Sequence, residues 1–392
     1  MKKNATRKPV PLERHHLSEP VTTGPSATDA GAILTIDLAA IRENYRSLAS
    51  RLGKARCAGV VKADAYGLGA AQVASALADE GCRAFFVAHL AEGLELRRWL
   101  PASCAIHVLN GIPPGGEDDC AEAGLIPVLN SLEQVVAWRQ ASASRKVRLP
   151  AALQVDSGMA RIGMSEAEVD RVAADPDLLD GIDVRLVMSH LACADEPDNP
   201  ANTQQRAAFD VLRARLPLAP ASLANSSGIF LSPGFHYDLA RPGAALYGVN
   251  PTPGRPNPMR QVVRLEAKVI QTRDLTEGIG VGYGHTFRTS GPLRAATISL
   301  GYADGWHRRA AGGAWWNGIR LPFIGRVSMD SIILDISVLP EGTLHGGDRV
   351  ELINEQQTID DIAGYSGTIG YEILTGLGSR FHRRYVERAS GY

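Results

Sequence analysis

The chain has 392 residues, 45% of them hydrophobic and 21% charged, with a formal net charge of −1 at neutral pH. That length exceeds one typical domain and supports a sizeable core, so two domains are the natural expectation. So even a charge balance excludes an overall electrostatic case for nucleic acid or an anionic membrane, and no apolar run is long enough to span a bilayer.

Residues 1–30 differ from the rest. They are basic at the start, rich in Pro, Ser, Thr and His, and carry no apolar h-region, so they are not a secretory signal. They are expected to form a mobile extension that buries too little apolar surface to order itself. Asn4-Ala5-Thr6 fits a glycosylation sequon, discounted in a chain without an export signal.

From Leu34 onward strands and helices alternate. Ile36 to Ile41 leads into a helical stretch through Tyr45 and Leu48. Short apolar runs follow at 57–61, 84–88, 105–109, 125–129, 151–155, 184–189, 221–225 and 238–240. Between them, Leu90, Leu94, Leu96 and Leu100 fall near one helical face. Leu132 to Trp138 follows Ser131, with Gln134 placed to complete a capping box, and Pro200 to Leu216 is a further helix. Alternation implies a parallel sheet, and about eight units favour a closed (β/α)8 TIM-type barrel over residues 31–260. A doubly wound open sheet is the alternative, but its G-x-G-x-x-G fingerprint is absent. The five cysteines, Cys57, Cys82, Cys104, Cys120 and Cys193, are odd in number and lack C-x-x-C spacing. They argue against a disulfide framework or a metal cluster and for a reducing, cytoplasmic compartment.

In such a barrel the C-terminal strand ends form the active face. The first run ends at Lys62, followed by Ala63-Asp64-Ala65-Tyr66-Gly67-Leu68-Gly69 and an alanine-rich helix. An amine at a strand end, beside a glycine turn and a helix start, suits a nucleophile next to a bound phosphate. The fifth run ends at Gln154 and Asp156, with Ser157 to Arg161 beyond; the sixth at His190; the seventh at Asn225-Ser226-Ser227-Gly228; the eighth at Arg241-Pro242-Gly243. Any one of these has a dull explanation as a surface or packed residue. Their coincidence on one rim marks a site.

The pattern changes near Met259. Dense strand signals follow at Val262–Ile270, Arg294–Leu300, Ile319–Ile324, Ser331–Ile336 and Arg349–Ile353, without helical interludes. Residues 261–392 therefore read as a second, mostly β domain. Its Ile279-Gly280-Val281-Gly282-Tyr283-Gly284-His285 fits no nucleotide-loop spacing and reads as a glycine-rich hairpin presenting an exposed phenol.

The set V-V-K-A-D-A-Y-G-L-G, Q-V-D-S-G-M-A-R-I-G, A-N-S, R-P-G-A-A-L-Y-G, V-G-Y-G, G-Y-A-D-G, G-R-V-S-M-D and G-Y-E, in that order, resembles bacterial alanine racemase from about residue 33 onward. The resemblance implies a pyridoxal-phosphate-dependent isomerase that interconverts L- and D-alanine, a homodimer with shared active sites that supplies D-alanine for peptidoglycan. It implies that Lys62 holds pyridoxal 5′-phosphate covalently. Tyr66, Ser226, Tyr371 and the backbone amides of Gly243 and Ala244 would hold the phosphate, and Arg241 would face the pyridine nitrogen. Arginine does not readily donate its proton, so the cofactor would remain a weaker electron sink than one paired with a carboxylate. Lys62 and Tyr283, the latter from another subunit, would be the two catalytic bases. Tyrosine would take the proton from the L-isomer and lysine from the D-isomer. A phenol with a reference pKa near 10 is a weak base, so His190, linked onward to Arg241, would supply electrostatic help. Arg161 and the amide of Met329 would bind the substrate carboxylate, and Tyr302 would narrow the entrance.

Departures from the family pattern stand at Gln154, where many members have a lysine, often carbamylated, that supports the substrate-binding arginine. Gln154 is expected to accept a hydrogen bond from Arg161 without contributing charge. Asp64 and Leu68 replace a frequent asparagine and histidine, and Ser222 replaces a histidine that partners the pyridine arginine in some members. Rival readings are a racemase of broader specificity, a barrel decarboxylase, whose carboxylate partner for the cofactor nitrogen Arg241 contradicts, and a non-catalytic cofactor carrier, which the second domain argues against.

Overall fold

The computed structural model describes residues 21–387. All eight apolar runs become parallel strands. Seven pair in the order 221–222, 182–188, 149–154, 126–129, 105–108, 84–87 and 59–60. Leu239–Ala240 then closes the circle. It pairs in parallel with Arg56–Cys57, and Val60 N–H reaches the Pro242 carbonyl at 3.0 Å. On its other side Arg241 N–H donates to the Ala224 carbonyl at 2.9 Å. The sheet is therefore a barrel without free edges.

Two apolar layers hold it. Ala58, Val60, Ala84, Phe86, Val128, Ala152, Leu186, Met188 and Leu239 fill the barrel interior. The larger core lies between strands and surrounding helices, where Leu77, Trp138 and Phe209 are fully enclosed. Leu90, Leu96 and Leu100 are buried as the helical spacing predicts, with Leu94 partly so. The capping box at Ser131 is only half formed. Ser131 Oγ accepts from Gln134 N–H at 3.4 Å, but Gln134 Oε1 turns back to Asn130 N–H at 2.8 Å. Among the described residues no helix is long and apolar enough to cross a membrane.

The second sheet has nine strands, centred on Val263–Leu275. It departs from the sequence reading in three places. Ala32–Asp37, expected at the head of the barrel region, joins this sheet instead. It pairs antiparallel with Val263–Leu275 and parallel with His382–Val386. Barrel closure is complete without it, so its buried backbone takes its hydrogen bonds here. Residues 21–30, expected to be mobile, are structured: Val21–Thr23 adds a strand against His382–Val386. The rest of that expectation, residues 1–20, lies outside the described residues. Helices Ile359–Ser366 and Gly370–Gly376 also interrupt the β domain, the first opened by a capping box between Thr358 and Asp361.

Candidate active site

Lys62 stands at the barrel mouth, half-buried, where the strand Gly59–Val60 ends. The backbone then does something the sequence does not advertise. Ala63, Asp64, Ala65 and Tyr66 all have φ between 52° and 58°, a left-handed turn of non-glycine residues. Each such residue costs about 1–2 kcal/mol, so the turn persists only because its surroundings fix it. Ala65 N–H donates to the Val61 carbonyl at 2.9 Å, and Asp64 Oδ1 accepts from Ala70 N–H at 2.7 Å. Glu92 Oε1, from the next barrel unit, accepts from Ala63 N–H at 2.7 Å. Burial, with the positive charge of Arg161 second, lowers the Lys62 ammonium pKa, while Glu92 opposes them. The amine is therefore more available at neutral pH than an exposed lysine.

Next to the lysine lies a cradle of neutral donors. Tyr66 packs 4.9 Å from Tyr247 and meets Tyr371 edge-on at 6.2 Å, centroid to centroid. Burial is the main force raising both the Tyr66 and Tyr371 pKa values, so both phenols keep their protons. Ser226 Oγ accepts from the amides of Gly243, at 3.0 Å, and Ala245, at 3.2 Å. The predicted amide pair was Gly243 and Ala244; Ser226 engages Gly243 and, beyond Ala244, Ala245. A methyl group on Gly243 would fall 2.5 Å from Tyr66 Oη. Only glycine leaves the backbone this close to the hydroxyl. Hydroxyls and amides converging in this way suit a phosphate dianion.

Arg241, 4% exposed, lies on the inner side. Its guanidinium donates to the Ser189 carbonyl at 2.6 Å and to Ser222 Oγ, and approaches His190 Nδ1 at 3.4 Å. Ser222 thus serves Arg241 as a buried hydrogen-bond partner. Burial pushes Arg241 down to about 9, so it remains charged at neutral pH. His190 is pushed down to about 3 by burial and then by the charges of Arg241, Arg161 and Lys62. Its imidazole is neutral, and its link to Arg241 matches the expectation.

Arg161 sits on an exposed loop set by Asp156. That carboxylate accepts the N–H groups of Gly158, Met159 and Ala160 at 2.9–3.2 Å. Burial would raise the Asp156 pKa, but these three donors together lower it. Ala160, with φ of 55°, is held in the left-handed region immediately before the arginine. Gln154, 3% exposed, donates Nε2 to the Ile162 carbonyl at 3.2 Å, and the expected bond from Arg161 to its amide oxygen is not among the hydrogen bonds of the described residues. The bond uses the amide nitrogen, which donates, and leaves the amide oxygen as a separate acceptor.

The remaining predicted residues lie in the β domain. Gly280–Val281 pairs with Phe287–Arg288, and Tyr283 stands on the turn between them, 69% exposed. Tyr302 and Met329 are also exposed, on segments joined by Tyr302 N–H to the Ser328 carbonyl at 3.1 Å and Ala303 N–H to the Met329 carbonyl at 3.0 Å. Within one chain, then, Lys62, Tyr66, His190, Ser226, Arg241, Gly243, Ala244, Tyr371 and Arg161 share the barrel mouth, while Tyr283, Tyr302 and Met329 are presented outward. Sequence reasoning missed Glu92, which only its position three residues into a helix hinted at. It also missed Tyr247, whose hydroxyl donates to the Val60 carbonyl at 2.8 Å beneath Tyr66. An amine, a phosphate cradle and a buried cation together can hold and activate a small phosphorylated carbonyl compound.

Comparison with known proteins agrees over almost the whole chain. Residues 36–251 match the model for the alanine racemase N-terminal domain, and residues 262–385 the model for the alanine racemase C-terminal domain. The chain is 64% identical over 361 residues to a protein of Mesorhizobium japonicum named "Alanine racemase, catabolic", covering 92% of this chain and 95% of that one. A protein of Agrobacterium fabrum with the same name is 52% identical over 364 residues, 92% and 94% of the two chains. Among solved structures, alanine racemase from Bartonella henselae with covalently bound pyridoxal phosphate superposes with a TM-score of 0.87 at 43% identity, covering 91% of this chain and all of that one.

Proposed function

The chain belongs to the alanine racemase family, and from that premise we propose that it interconverts L- and D-alanine, using Lys62 and Tyr283 as paired bases and pyridoxal 5′-phosphate as cofactor. The observation that carries this is Lys62, with its lowered ammonium pKa, beside the Tyr66–Ser226–Gly243–Tyr371 cradle.

The residues present fit the cofactor. Tyr66, Tyr371, Ser226 and the amides of Gly243 and Ala244 are the donors that would hold its phosphate, and the missing Gly243 Cβ gives the room. When bound, the cofactor supplies an electron sink that acidifies the α-proton of an attached amino acid. Arg241 would face the cofactor as a cation that keeps its proton at neutral pH. Restrained in this way, the site favours return of the proton to the α-carbon over side reactions. Arg161 binds the substrate carboxylate as a cation at the rim. Lys62 exchanges a proton on one face of the α-carbon, its lowered pKa favouring the free amine relative to an exposed lysine.

The other face needs a second base. Tyr283 suits that role from a second copy of the chain: its phenol is 69% exposed on a β-domain hairpin. Tyr302 and Met329 accompany it to the same entrance, as narrowing side chain and carboxylate-binding amide. A shared site of this kind calls for at least a two-fold dimer. Neutral His190 then serves as acceptor and relay toward Arg241 rather than as an acid.

The domain plan that goes with this is a barrel near residues 31–260 and a β domain near 261–392, with the strand Ala32–Asp37, ahead of the barrel in sequence, pairing into the β-domain sheet. Supply of D-alanine for peptidoglycan, in the cytoplasm, is one role for such an enzyme. The qualifier "catabolic" on the 64% and 52% identical relatives favours alanine breakdown instead. Induction of the protein by exogenous alanine supports the catabolic role, whereas constitutive expression with D-alanine dependence of a deletion strain supports the other.

The reaction itself is tested with purified protein and added cofactor in heavy water, offered L-alanine, L-serine, L-lysine and L-arginine. Chiral chromatography with mass detection should find α-deuterated D-alanine dominating. Faster turnover of the longer substrates would make it a broad-specificity racemase, and amine products would overturn the assignment. Tyr283→Phe should impair L-to-D turnover far more than cofactor binding; equal loss of both would sink the two-base reading.

A further inference from the structure

Glu92 is a helix-capping residue with one oxygen too many for that task. It is the third residue of Leu90–Arg97, where a capping glutamate needs only the N–H of the residue before the helix. Its Oε2 does this, accepting from His89 N–H at 3.0 Å and also from Ala88 N–H at 2.6 Å. Oε1 reaches across to another barrel unit and accepts Ala63 N–H at 2.7 Å. Ala63 directly follows Lys62 and opens the left-handed turn. Ala88 directly follows the strand Ala84–Val87, which pairs in parallel with Gly59–Val60.

We infer that Glu92 is a positioning residue for Lys62: its carboxylate ties together the ends of two neighbouring barrel strands and holds the strained turn that aims the lysine into the site. A carboxylate suits the task because it is acceptor-only, with two oxygens and room for three N–H donors. No neutral side chain of similar length does the same. Glutamine would oppose one of those donors with an amide N–H. The later residues of the turn have their own bonds, from Ala65 N–H to the Val61 carbonyl and from Ala70 N–H to Asp64 Oδ1, whereas Ala63 N–H, the first donor after Lys62, is held by Glu92.

The same charge bears on the amine. The charged and titratable groups facing Lys62 are Arg161, Glu92 and His190; Arg161 and burial disfavour the ammonium, and Glu92 favours it. Glu92 thus sets direction and basicity together, which helix capping alone does not require.

The inference rests on Lys62 as the cofactor-holding amine, and the test separates the two claims. Apoprotein is mixed with pyridoxal phosphate across a pH series, trapped with borohydride, and the labelled lysine identified by peptide mass mapping. The rate against pH gives the Lys62 midpoint and the limiting rate of the free amine. Glu92→Gln removes the charge and keeps one acceptor; Glu92→Asp keeps the charge and shortens the reach by one methylene. Glu92→Gln should move the midpoint down and cut the limiting rate by about tenfold, the scale of a misplaced nucleophile. Glu92→Asp should keep the native midpoint and lose limiting rate alone. If Glu92→Gln does not fold, Glu92→Asp decides by its limiting rate. Native midpoints and limiting rates, with only a lowered melting temperature, reduce Glu92 to a helix cap and overturn the inference. Labelling that persists in Lys62→Ala protein would instead strike the reading of Lys62 itself, whatever the Glu92 variants do.

Discussion

Replacing Gly243 by alanine tests the phosphate cradle by the smallest possible change. Gly243 has φ of −127°, outside the left-handed region that favours glycine, and an added methyl there acts through contact. The added methyl would lie 2.5 Å from Tyr66 Oη, 3.1 Å from Tyr66 Cζ and 3.3 Å from Val60 Cβ. Normal contact distances for such atoms are about 3.5–4.0 Å, so the phenol must retreat by about 1 Å. It has nowhere easy to go, with Tyr247 at 4.9 Å on one side and Tyr371 at 6.2 Å on another. Overpacking of this kind costs about 1–3 kcal/mol. Expressed in the bound state, that is a loss of about fivefold to a hundredfold in cofactor affinity. Titration of apoprotein with pyridoxal phosphate, followed by quenching of intrinsic fluorescence, measures it. A cycle with Tyr66→Phe identifies the cause: once the hydroxyl is gone, the methyl should cost clearly less. Strict additivity of the two substitutions, or native affinity in Gly243→Ala, would refute the steric argument.

Acid lability should have a histidine component. His107, 5% exposed, stacks 4.4 Å from Phe86 inside the barrel. Burial first, with Arg241 and Arg56 adding to it against a bond to the Phe85 carbonyl, pushes it down to about 4. Between its unfolded value near 6.5 and that value, the unfolded chain binds more protons, so stability rises with pH and falls on acidification. Across that window the loss is about 3 kcal/mol, and His107→Asn should flatten the acid limb of the denaturation midpoint plotted against pH; parallel limbs would contradict it. Arg380 joins Asp304 and Asp330, each at 2.7 Å, and so fixes the segments carrying Tyr302 and Met329. Because the guanidinium is half exposed, Arg380→Ala should cost only about 1 kcal/mol of stability. It should raise KM for alanine more than it lowers kcat, with Arg380→Lys intermediate; an unchanged KM would count against the clamp.

The barrel was legible because parallel strands buried on both faces read as continuous apolar runs. All eight runs became strands, and Lys62, His190, Ser226 and Arg241 were marked out by strand ends, whereas Tyr371 was not. The strand Ala32–Asp37 was not legible in the same way. An apolar run before a helix looks like a barrel unit, and only its register with Val263–Leu275, more than two hundred residues away, assigns it elsewhere. Helices Ile359–Ser366 and Gly370–Gly376 were hidden by the glycines within them, which weaken a helical pattern. Composition likewise led residues 21–30 to be read as mobile, although Val21–Thr23 finds a partner strand.

Within the site, residue types were legible and their exact settings were not, and the difference has one physical origin. Lys62, Arg161 and Tyr302 each lie on a loop whose shape depends on a carboxylate catching backbone N–H groups. Glu92 catches Ala63, Asp156 catches Gly158 to Ala160, and Asp304 catches Gly301 at 2.9 Å. In two of the three loops non-glycine residues occupy left-handed backbone, a choice no local propensity makes. Such a loop is specified by an acceptor and its distance, which a one-dimensional pattern does not carry. Gln154 marks the same limit from the other side: its amide nitrogen donates to the Ile162 carbonyl at 3.2 Å, a partner its place in the sequence does not announce. Substitutions at these carboxylates should therefore alter the chemistry without touching any residue that performs it, and Glu92, whose oxygens bridge two strands, is where that effect should be largest.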